Sequence, residues 1–244
     1  MLLKLRNLRR FSTTQGNREK RIYFGKQWNA HLVRMSYASS IEQIIAGSIQ
    51  DSLDVKRALL DDRDFHSLLM TVGQGMAQAL RKGNKVLYFG NGGSAADAQH
   101  LAAELTGRYL RDRRGLPGIA LTVNASSITA IANDQSYEMV FARQLEALSN
   151  PGDVAVGIST SGNSANVLKA VKAGRKRGLL TIGMTGRSGG KLKGEVNYCF
   201  CIPSEATPRI QEAHILVGHI LCEIIEQVLF CESDLCQPQR NHGA

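Results

Sequence analysis

The stretch that decides the fold is Val154-Ala155-Val156-Gly157-Ile158-Ser159-Thr160-Ser161-Gly162-Asn163-Ser164. Its first five residues form a short apolar run, which is typical of a buried parallel strand. The segment from Ala165 to Arg177 then has helical spacing. Residues 159–164 (the serine loop) suit a phosphate, because free amides and the helix dipole favour an anion at a helix N-terminus. A helix cap with incidental serines is the alternative, since helices prefer Ser and Asn there.

The rest of the chain repeats this alternation of strands and helices. Besides 153–158, short apolar runs predict strands at residues 85–89, 118–122, 179–184 and 197–202. Helical spacing predicts helices near 94–109, 126–148 and 163–177, and a long final helix over about 208–230. Two N-terminal helices precede the first strand: one that Ser39 or Ser40 could cap, and one from about Asp64 to Arg81. This order predicts an α/β fold with a parallel sheet between helices, and leaves the N-terminal helices and the apolar final helix for oligomer contacts.

The positive charge of the chain is concentrated at its N-terminus. The formal net charge is +9 over 244 residues, yet residues 1–34 carry nine Lys or Arg and one Glu. The body, residues 36–232, is therefore nearly neutral, and a C-terminal tail follows at 233–244. A neutral body with few aromatic residues excludes the basic surface of a nucleic-acid-binding domain. The basic segment 1–35 is interpreted as a disordered or non-native extension, with a mitochondrial-type presequence or a functional basic arm as alternatives.

The cysteines indicate a reducing compartment. There are five, at positions 199, 201, 222, 231 and 236, an odd number without the spacing of a disulfide framework. Cys199 and Cys201 alternate along a predicted strand, so they should share one face. Free thiols in the cytoplasm are therefore predicted. No apolar run reaches the roughly 18 residues of a transmembrane helix, so no membrane partner is expected.

A second polar loop follows the first predicted strand. It is Phe89-Gly90-Asn91-Gly92-Gly93-Ser94 (the glycine loop), where glycines permit positive φ and a close approach of a ligand. The third glycine of the dinucleotide-binding fingerprint is missing. In a parallel sheet the glycine loop and the serine loop both lie at the carboxyl ends of strands, where ligands bind. Asn133 and Asp134, after another helix, fit either a helix end or contacts to a polyhydroxyl ligand.

Two predicted helices carry residues suited to metal binding or proton transfer. His100 and Glu104 are four residues apart and share a helix face; a solvated pair, half a metal site and an acid–base pair all fit. Gln211 and His219 are eight residues apart, about 80° of rotation, so both could border one site. His219 has the apolar neighbours typical of a core histidine, and spacing alone does not choose between it and His214.

Three segments together resemble the phosphoheptose isomerases (sedoheptulose 7-phosphate isomerases). The first is Gly90-Asn91-Gly92-Gly93-Ser94-Ala95-Ala96-Asp97-Ala98-Gln99-His100-Leu101-Ala102-Ala103-Glu104-Leu105-Thr106-Gly107-Arg108, and the others are residues 157–166 and 209–219, in the same order as in that family. The resemblance covers about residues 36–232, and the basic extension has no counterpart. It implies a sugar-isomerase (SIS) domain with a five-stranded parallel sheet, a homotetramer with active sites between subunits, and one zinc ion per subunit.

The resemblance also implies roles for particular residues. The phosphate would be held by Ser159, Thr160, Ser161 and Ser164. The substrate would be lined by Asn91, Gly92, Gly93, Glu104, Asn133, Asp134 and Gln211, with Ser94 and Arg108 as further contacts. Zinc would be held by His100, Glu104, Gln211 and His219. Glu104 is the expected proton shuttle at carbon and His219 the group that transfers protons at oxygen, although a Glu104 that binds zinc firmly is a poorer base.

The implied reaction converts D-sedoheptulose 7-phosphate into D-glycero-D-manno-heptose 7-phosphate through an enediol, an early step toward the heptose of bacterial lipopolysaccharide. The main alternative is a non-catalytic tetramer that binds the replication initiator DnaA, because the resemblance extends to the DnaA initiator-associating protein. That relative lacks the acid and the histidine that correspond to Glu104 and His219, so their presence here favours the enzyme. Another sugar-phosphate isomerase also remains an alternative, since the serine loop would recognise only the phosphate.

Overall fold

The computed structural model of the protein describes the backbone of residues 22–231 and the side chains of residues 40–231. The chain divides into two compact units, which meet in sequence at Gln50 and Asp51. In the first unit the described residues belong to helix α1 (Ile22–Asp61), which continues into the second. Because α1 begins at Ile22 and no proline interrupts it, neither Ser39 nor Ser40 caps it. Residues 1–21 of the predicted extension and the predicted tail, 233–244, lie outside the described residues.

The second unit contains a five-stranded parallel sheet. Its strands are β1 (Val86–Gly90), β2 (Gly118–Ala120), β3 (Val154–Ile158), β4 (Leu180–Thr185) and β5 (Tyr198–Cys201), in the spatial order β2-β1-β3-β4-β5. The central strand β3 is buried along its whole length, which explains why its sequence is continuously apolar. All pairings are parallel, with Val86 level with both Gly118 and Val154. The predicted α/β fold class is confirmed.

Helices cover both faces of the sheet. They are α2 (Arg63–Arg81), α3 (Gly93–Thr106), α4 (Ala125–Asp134), α5 (Val140–Leu148), α6 (Ala165–Lys176) and α7 (Thr207–Phe230). Side chains alternate along β1, so Val86 and Tyr88 pack in one core with α2, α3 and α7, while Leu87 and Phe89 pack in the other with α5 and α6. The sheet therefore separates two apolar cores.

The single helix predicted over residues 126–148 is wrong. The chain forms α4 and α5 with a short 3₁₀ turn, Tyr137–Met139, between them. The polar run Asn133 to Ser136 offers no apolar side chain to bury, and Ser136 is fully extended there. The break leaves Asn133 and Asp134 as the last two residues of α4.

Helix α7 is long and apolar enough to cross a membrane by length and composition. Polar residues such as His214 and Glu223 interrupt every continuous apolar run in it, which is why no spanning run was predicted. Close to half of its most apolar window is buried inside the structure. Its apolar residues, including Val217 and Ile225, belong to the core shared with α2 and α3. These contacts are those of a core helix.

His214 is the core histidine of α7. It is fully buried, and its Nε2 lies 3.3 Å from the carbonyl oxygen of Thr185 at the end of β4. Among the described residues its Nδ1 has no partner. Burial lowers the pKa of His214 to about 4, while the hydrogen bond to Thr185 opposes that shift.

This buried histidine should make the protein acid-sensitive. The folded protein keeps His214 neutral, whereas the unfolded chain binds a proton near pH 6.5, so its cost to stability appears as the pH falls from about 6.5 to about 4. The loss should be on the order of 3 kcal/mol, since each pKa unit corresponds to about 1.36 kcal/mol. Urea unfolding across this pH range should show a smaller acid loss for His214→Gln than for the unsubstituted protein. Equal losses would contradict the assignment.

Candidate active site

Helices α3 and α7 lie side by side and point in the same direction. Gly218 of α7 lies directly on Leu101 of α3, so closely that a Cβ at position 218 would overlap the Leu101 side chain. This contact brings His219 to His100, with their Nε2 atoms 3.2 Å apart. The two helices thus unite residues that the sequence predicted on separate elements.

His100, Glu104 and His219 form one cluster. The Nε2 of His100 lies 3.0 Å from Oε1 of Glu104, and the three potential ligand atoms lie within 4.8 Å of one another. The predicted helix spacing of His100 and Glu104 is confirmed. The cluster is open to solvent, with 47% of the His100 side chain and 21% of the Glu104 side chain exposed.

The donor set of this cluster fits zinc. Zinc is commonly held by imidazole nitrogens and carboxylate oxygens at about 2.0–2.2 Å, and tetrahedral geometry then separates the ligand atoms by roughly 3.3 Å. The separations observed here, 3.0 and 3.2 Å, are close to that value. Among the described residues this is the group of three His, Cys, Asp or Glu side chains that could hold a metal ion.

Gln211 lies a little over two turns before His219 on α7. Its amide packs against Gly93 at the start of α3, where a Cβ would overlap it. Gly93 is therefore needed because it allows this approach, and Gly92 because its φ is 56°. Since His219 also contacts α3, Gln211 and His219 both border that helix.

The serine loop is a compact turn before α6. Ser159 is buried, and its Oγ lies 2.9 Å from Oγ of Ser164. Ser164 occupies the cap position of α6, but its side chain makes no capping hydrogen bond. Gly162, with φ 65°, packs against the backbone of Gly189.

Hydrogen bonds join the glycine loop to the serine loop. The side-chain amides of Asn91 and Asn166 bond reciprocally, at 2.9 Å and 2.8 Å, and the Tyr137 hydroxyl donates to Asn91 Oδ1 at 3.1 Å. Asn166 lies in the first turn of α6, so the carboxyl ends of β1 and β3 are held as one unit. The Asn91 side chain, predicted to line the substrate, takes part in this bridge.

The remaining predicted residues lie at different depths. Asn133 and Asp134 are exposed, and the Asn133 amide donates to Asp134 Oδ1 at 2.9 Å. Ser94 is buried in the first turn of α3, which does not suit a substrate contact. Arg108 is exposed just beyond α3, and Thr160 and Ser161 are accessible in the serine loop.

The sequence did not indicate a buried ion pair that closes the far end of α3 and α7. The carboxylate of Glu226 is 2% exposed and accepts hydrogen bonds from the backbone amides of Tyr109, Leu110 and Arg111 at 3.0–3.1 Å. It also accepts from Nε of Arg113 at 2.7 Å. The pair thus fixes the loop that follows α3.

Arg113 completes this arrangement by donating to the end of α3. Its guanidinium binds the carbonyl oxygens of Glu104 and Leu105 at 2.8 and 3.0 Å. The loop it helps to fix places the Tyr109 ring on the imidazole of His219, with centroids 5.4 Å apart and planes 24° apart. Tyr109 therefore supports one side of the His–Glu–His cluster, and only the tertiary structure shows it.

The five-stranded parallel sheet between helices, with a hydroxyl-rich loop before α6, is the fold of a SIS domain protein. The SIS domain family model matches residues 63–186. A phosphoheptose isomerase from Roseiflexus sp. (strain RS-1) is 49% identical over 197 residues, covering 81% of this chain and 99% of that protein. One from Aquifex aeolicus (strain VF5) is 51% identical over 183 residues, 75% of this chain and 94% of that protein.

Solved structures of phosphoheptose isomerases are also similar to this chain. The phosphoheptose isomerase GmhA from Neisseria gonorrhoeae superposes with a TM-score of 0.71 at 41% identity, over 76% of this chain and 99% of that chain. A phosphoheptose isomerase from Francisella tularensis gives a TM-score of 0.70 at 35% identity, over 78% and 98%. This chain belongs to the phosphoheptose isomerase family.

A double-mutant cycle should measure the buried ion pair. Glu226→Gln leaves the Arg113 charge buried without its counter-ion, and such a loss costs about 3–5 kcal/mol. Arg113→Gln should cost a similar amount, whereas the double variant should lose less than the sum of the two, because no isolated charge remains. The free energies of unfolding in urea test this cycle.

Glu223→Gln is the matched control, because Glu223 is an exposed acid one turn earlier on the same helix. It should change stability by no more than about 0.5 kcal/mol. Strictly additive losses at Glu226 and Arg113 would show that the two groups do not stabilise each other.

Proposed function

We propose that this chain is an aldose–ketose isomerase that converts D-sedoheptulose 7-phosphate into D-glycero-D-manno-heptose 7-phosphate. The observation that carries the proposal is the placement of Glu104 beside His100 and His219, on the helix that begins in the glycine loop. That loop is bonded to α6, whose N-terminus carries the serine loop. A group for proton transfer and a phosphate-binding loop are thus parts of one framework. The family membership of the chain supports the same reaction.

The serine loop supplies the phosphate contacts. Ser161 is exposed and Thr160 and Ser164 are half-exposed, so their hydroxyls are available to the phosphate oxygens, while buried Ser159 orients Ser164. The amides of the first turn of α6 and the helix dipole add favourable interactions with the anion. Phosphate held in this way leaves the sugar to extend over the carboxyl edge of the sheet.

Glu104 and His219 carry the proton transfers. In the ketose-to-aldose direction, the Glu104 carboxylate removes a proton from C1 and returns one to C2 of the enediol, while His219 moves the proton between O1 and O2. Tyr109 holds the imidazole of His219 by stacking, and Arg113 fixes the backbone at Glu104. His100, Glu104 and His219 would hold zinc, with Gln211 as the fourth ligand implied by the resemblance. When bound, zinc supplies Lewis-acid polarisation of the substrate carbonyl.

The open position of the cluster supports an assembly in which subunits share sites. A cavity of about 310 Å³ is lined by residues such as Arg187, Ser204 and Arg209, and by none of the His–Glu–His cluster or the serine loop. In the first unit, apolar residues of α1 are exposed, with Ile44 66% and Ile49 58% accessible. Exposed apolar helix faces are typical of oligomer contacts. We therefore extend the proposal to a cytoplasmic homotetramer in which residues 36–232 form the SIS domain and which acts early in lipopolysaccharide heptose synthesis.

A non-catalytic relative that binds the replication initiator is the second candidate. It shares the serine loop but lacks the acid and the histidine that correspond to Glu104 and His219. Here both residues are present and lie in one cluster with His100. The cluster favours catalysis.

Turnover of sedoheptulose 7-phosphate, followed by NMR detection of the aldose, tests the proposal. The unsubstituted protein should form aldoheptose phosphate, and Glu104→Gln should lower kcat by about 10²–10⁴-fold, the contribution of a general base. His219→Ala should also lose activity. Glu146→Gln, a change at a half-exposed acid on α5 that pairs with Arg143, is the matched control and should keep full activity. Absence of turnover by the zinc-supplied, unsubstituted protein would make the initiator-binding role the leading one.

Metal content tests the zinc site separately from activity. Elemental analysis should find one zinc per subunit in the purified protein, and His100→Ala and His219→Ala should each lose most of it, because each removes a ligand of the cluster. His66→Ala is the control, since His66 lies on α2 and contacts the Leu59 carbonyl instead. A chelator should reduce turnover, and added zinc should restore it. Full zinc content in both cluster variants would exclude this site.

A further inference from the structure

The second cluster of reactive side chains lies on strand β5, which pairs with β4 at one edge of the described five-stranded sheet. Cys199 and Cys201 point to the same face, as the sequence predicted, and their Sγ atoms lie 3.9 Å apart. Both residues are partly exposed. Cys199 lies over Gly183 of β4, whose missing side chain leaves room for the thiol.

We propose that Cys199 and Cys201 form a redox-sensitive dithiol that a hydroperoxide converts into an intrastrand disulfide, and that this oxidation loosens the serine loop. A zinc site is the less favourable alternative, because structural zinc takes four ligands. Among the described residues, the group of three possible ligands lies elsewhere, at His100, Glu104 and His219.

Cys201 is the nucleophile of the pair. The hydrogen bond with Cys199 and the nearby Lys193 ammonium lower the pKa of Cys201 to about 7, against the opposing effect of burial. The pKa of Cys199 is raised by the same hydrogen bond and by burial. Near neutral pH, Cys201 is therefore partly thiolate while Cys199 stays a thiol, and the thiolate is the form that reacts with peroxides.

The chemistry balances with a hydroperoxide as the oxidant. The Cys201 thiolate attacks the peroxide, the O–O bond breaks, and Cys201 becomes a sulfenic acid while the peroxide is reduced by two electrons to water or an alcohol. The Cys199 sulfur then attacks the Cys201 sulfur. A disulfide forms, and the hydroxyl group leaves as water with the proton of the Cys199 thiol.

The disulfide requires a local bend of β5, which makes it strained and reducible. Two residues along a strand separate Cα atoms by about 6.6 Å, near the upper end of the usual range for disulfides, about 4.4–6.8 Å, and their Cβ atoms by a similar distance, whereas a disulfide needs about 3.5–4.5 Å. The sulfur atoms must approach from 3.9 Å to about 2.05 Å. Strained disulfides are more readily reduced, so the oxidation should be reversible by thiols.

Contacts connect Cys201 to the serine loop. Its Sγ lies against Gly189, and Gly189 and Gly190 pack on the backbone of Ser161 and Gly162. The next residues are bonded to the same loop: the Leu192 amide donates to the Gly162 carbonyl at 2.9 Å, and the Lys191 amide to Asn163 Oδ1 at 3.1 Å. Movement of Cys201 toward Cys199 withdraws one support of this segment.

Peptide mass spectrometry of the full-length protein after hydrogen peroxide treatment tests the chemistry. We expect the peptide with Cys199 and Cys201 to lose two hydrogens, and dithiothreitol to restore it. Cys199→Ser should stop at a Cys201 sulfenic acid that dimedone traps, whereas Cys201→Ser should react far more slowly. Cys231→Ser is the control and should leave the disulfide unchanged. An unreacted pair, or a disulfide only between chains, would overturn the proposal.

Hydrogen–deuterium exchange tests the coupling without reference to any activity. Oxidation should increase exchange in residues 159–164 and 189–192 of the unsubstituted protein but not of Cys201→Ser. Residues of β1 should be unaffected in both. A disulfide that forms without faster exchange in the serine loop would overturn the proposed link.

Discussion

The arrangement of the cluster depends on the ion pair between Glu226 and Arg113. Both side chains are almost fully buried, at 2% and 1% exposure, and a buried charge is tolerable only when it is paired and hydrogen-bonded. Glu226 satisfies this condition through three backbone amides and the guanidinium. Arg113 satisfies it through the carbonyls at the end of α3. If either side chain moved away, the other would remain as an unpaired charge in the protein interior. The ends of α3 and α7 are therefore fixed relative to each other.

Fixed helices matter because the cluster is built from both. Glu104 and His100 belong to α3, and His219 belongs to α7, where Gly218 permits the close approach to Leu101. A shift between the helices would change the separations of 3.0 and 3.2 Å that suit a metal ion. The ion pair acts at one end and the contact of Gln211 with Gly93 at the other. The side chains of the His–Glu–His cluster are partly exposed to solvent, whereas the ion pair that helps to position them is buried.

Much of this could be predicted from the sequence, because the relevant signals are local. The apolar run of β3 and the four-residue spacing of His100 and Glu104 each predicted an observed feature. The Tyr109–Glu226 hydrogen bond spans 117 residues, and no local pattern marks such a contact. The two histidines of α7 could not be told apart from the sequence either, because His214 and His219 have similar sequence neighbours. Only the packing of the helices buries His214 and leaves His219 partly exposed. The bond between Asn91 and Asn166 is a further contact that no local pattern marks, because it depends on two strands lying side by side.

In the proposed function the serine loop recognises the phosphate and the helix cluster carries the reaction. The serine loop is held from within by Ser159 and from behind by residues 189–192, so the phosphate site of that proposal would be preformed. Such a site alone cannot distinguish an enzyme from a binding protein of the same fold. The distinction depends on what the paired helices place at the other end of the ligand. Here they place a carboxylate and two imidazoles, groups that move protons and bind metal, and a protein that only bound the sugar phosphate would have no need of them.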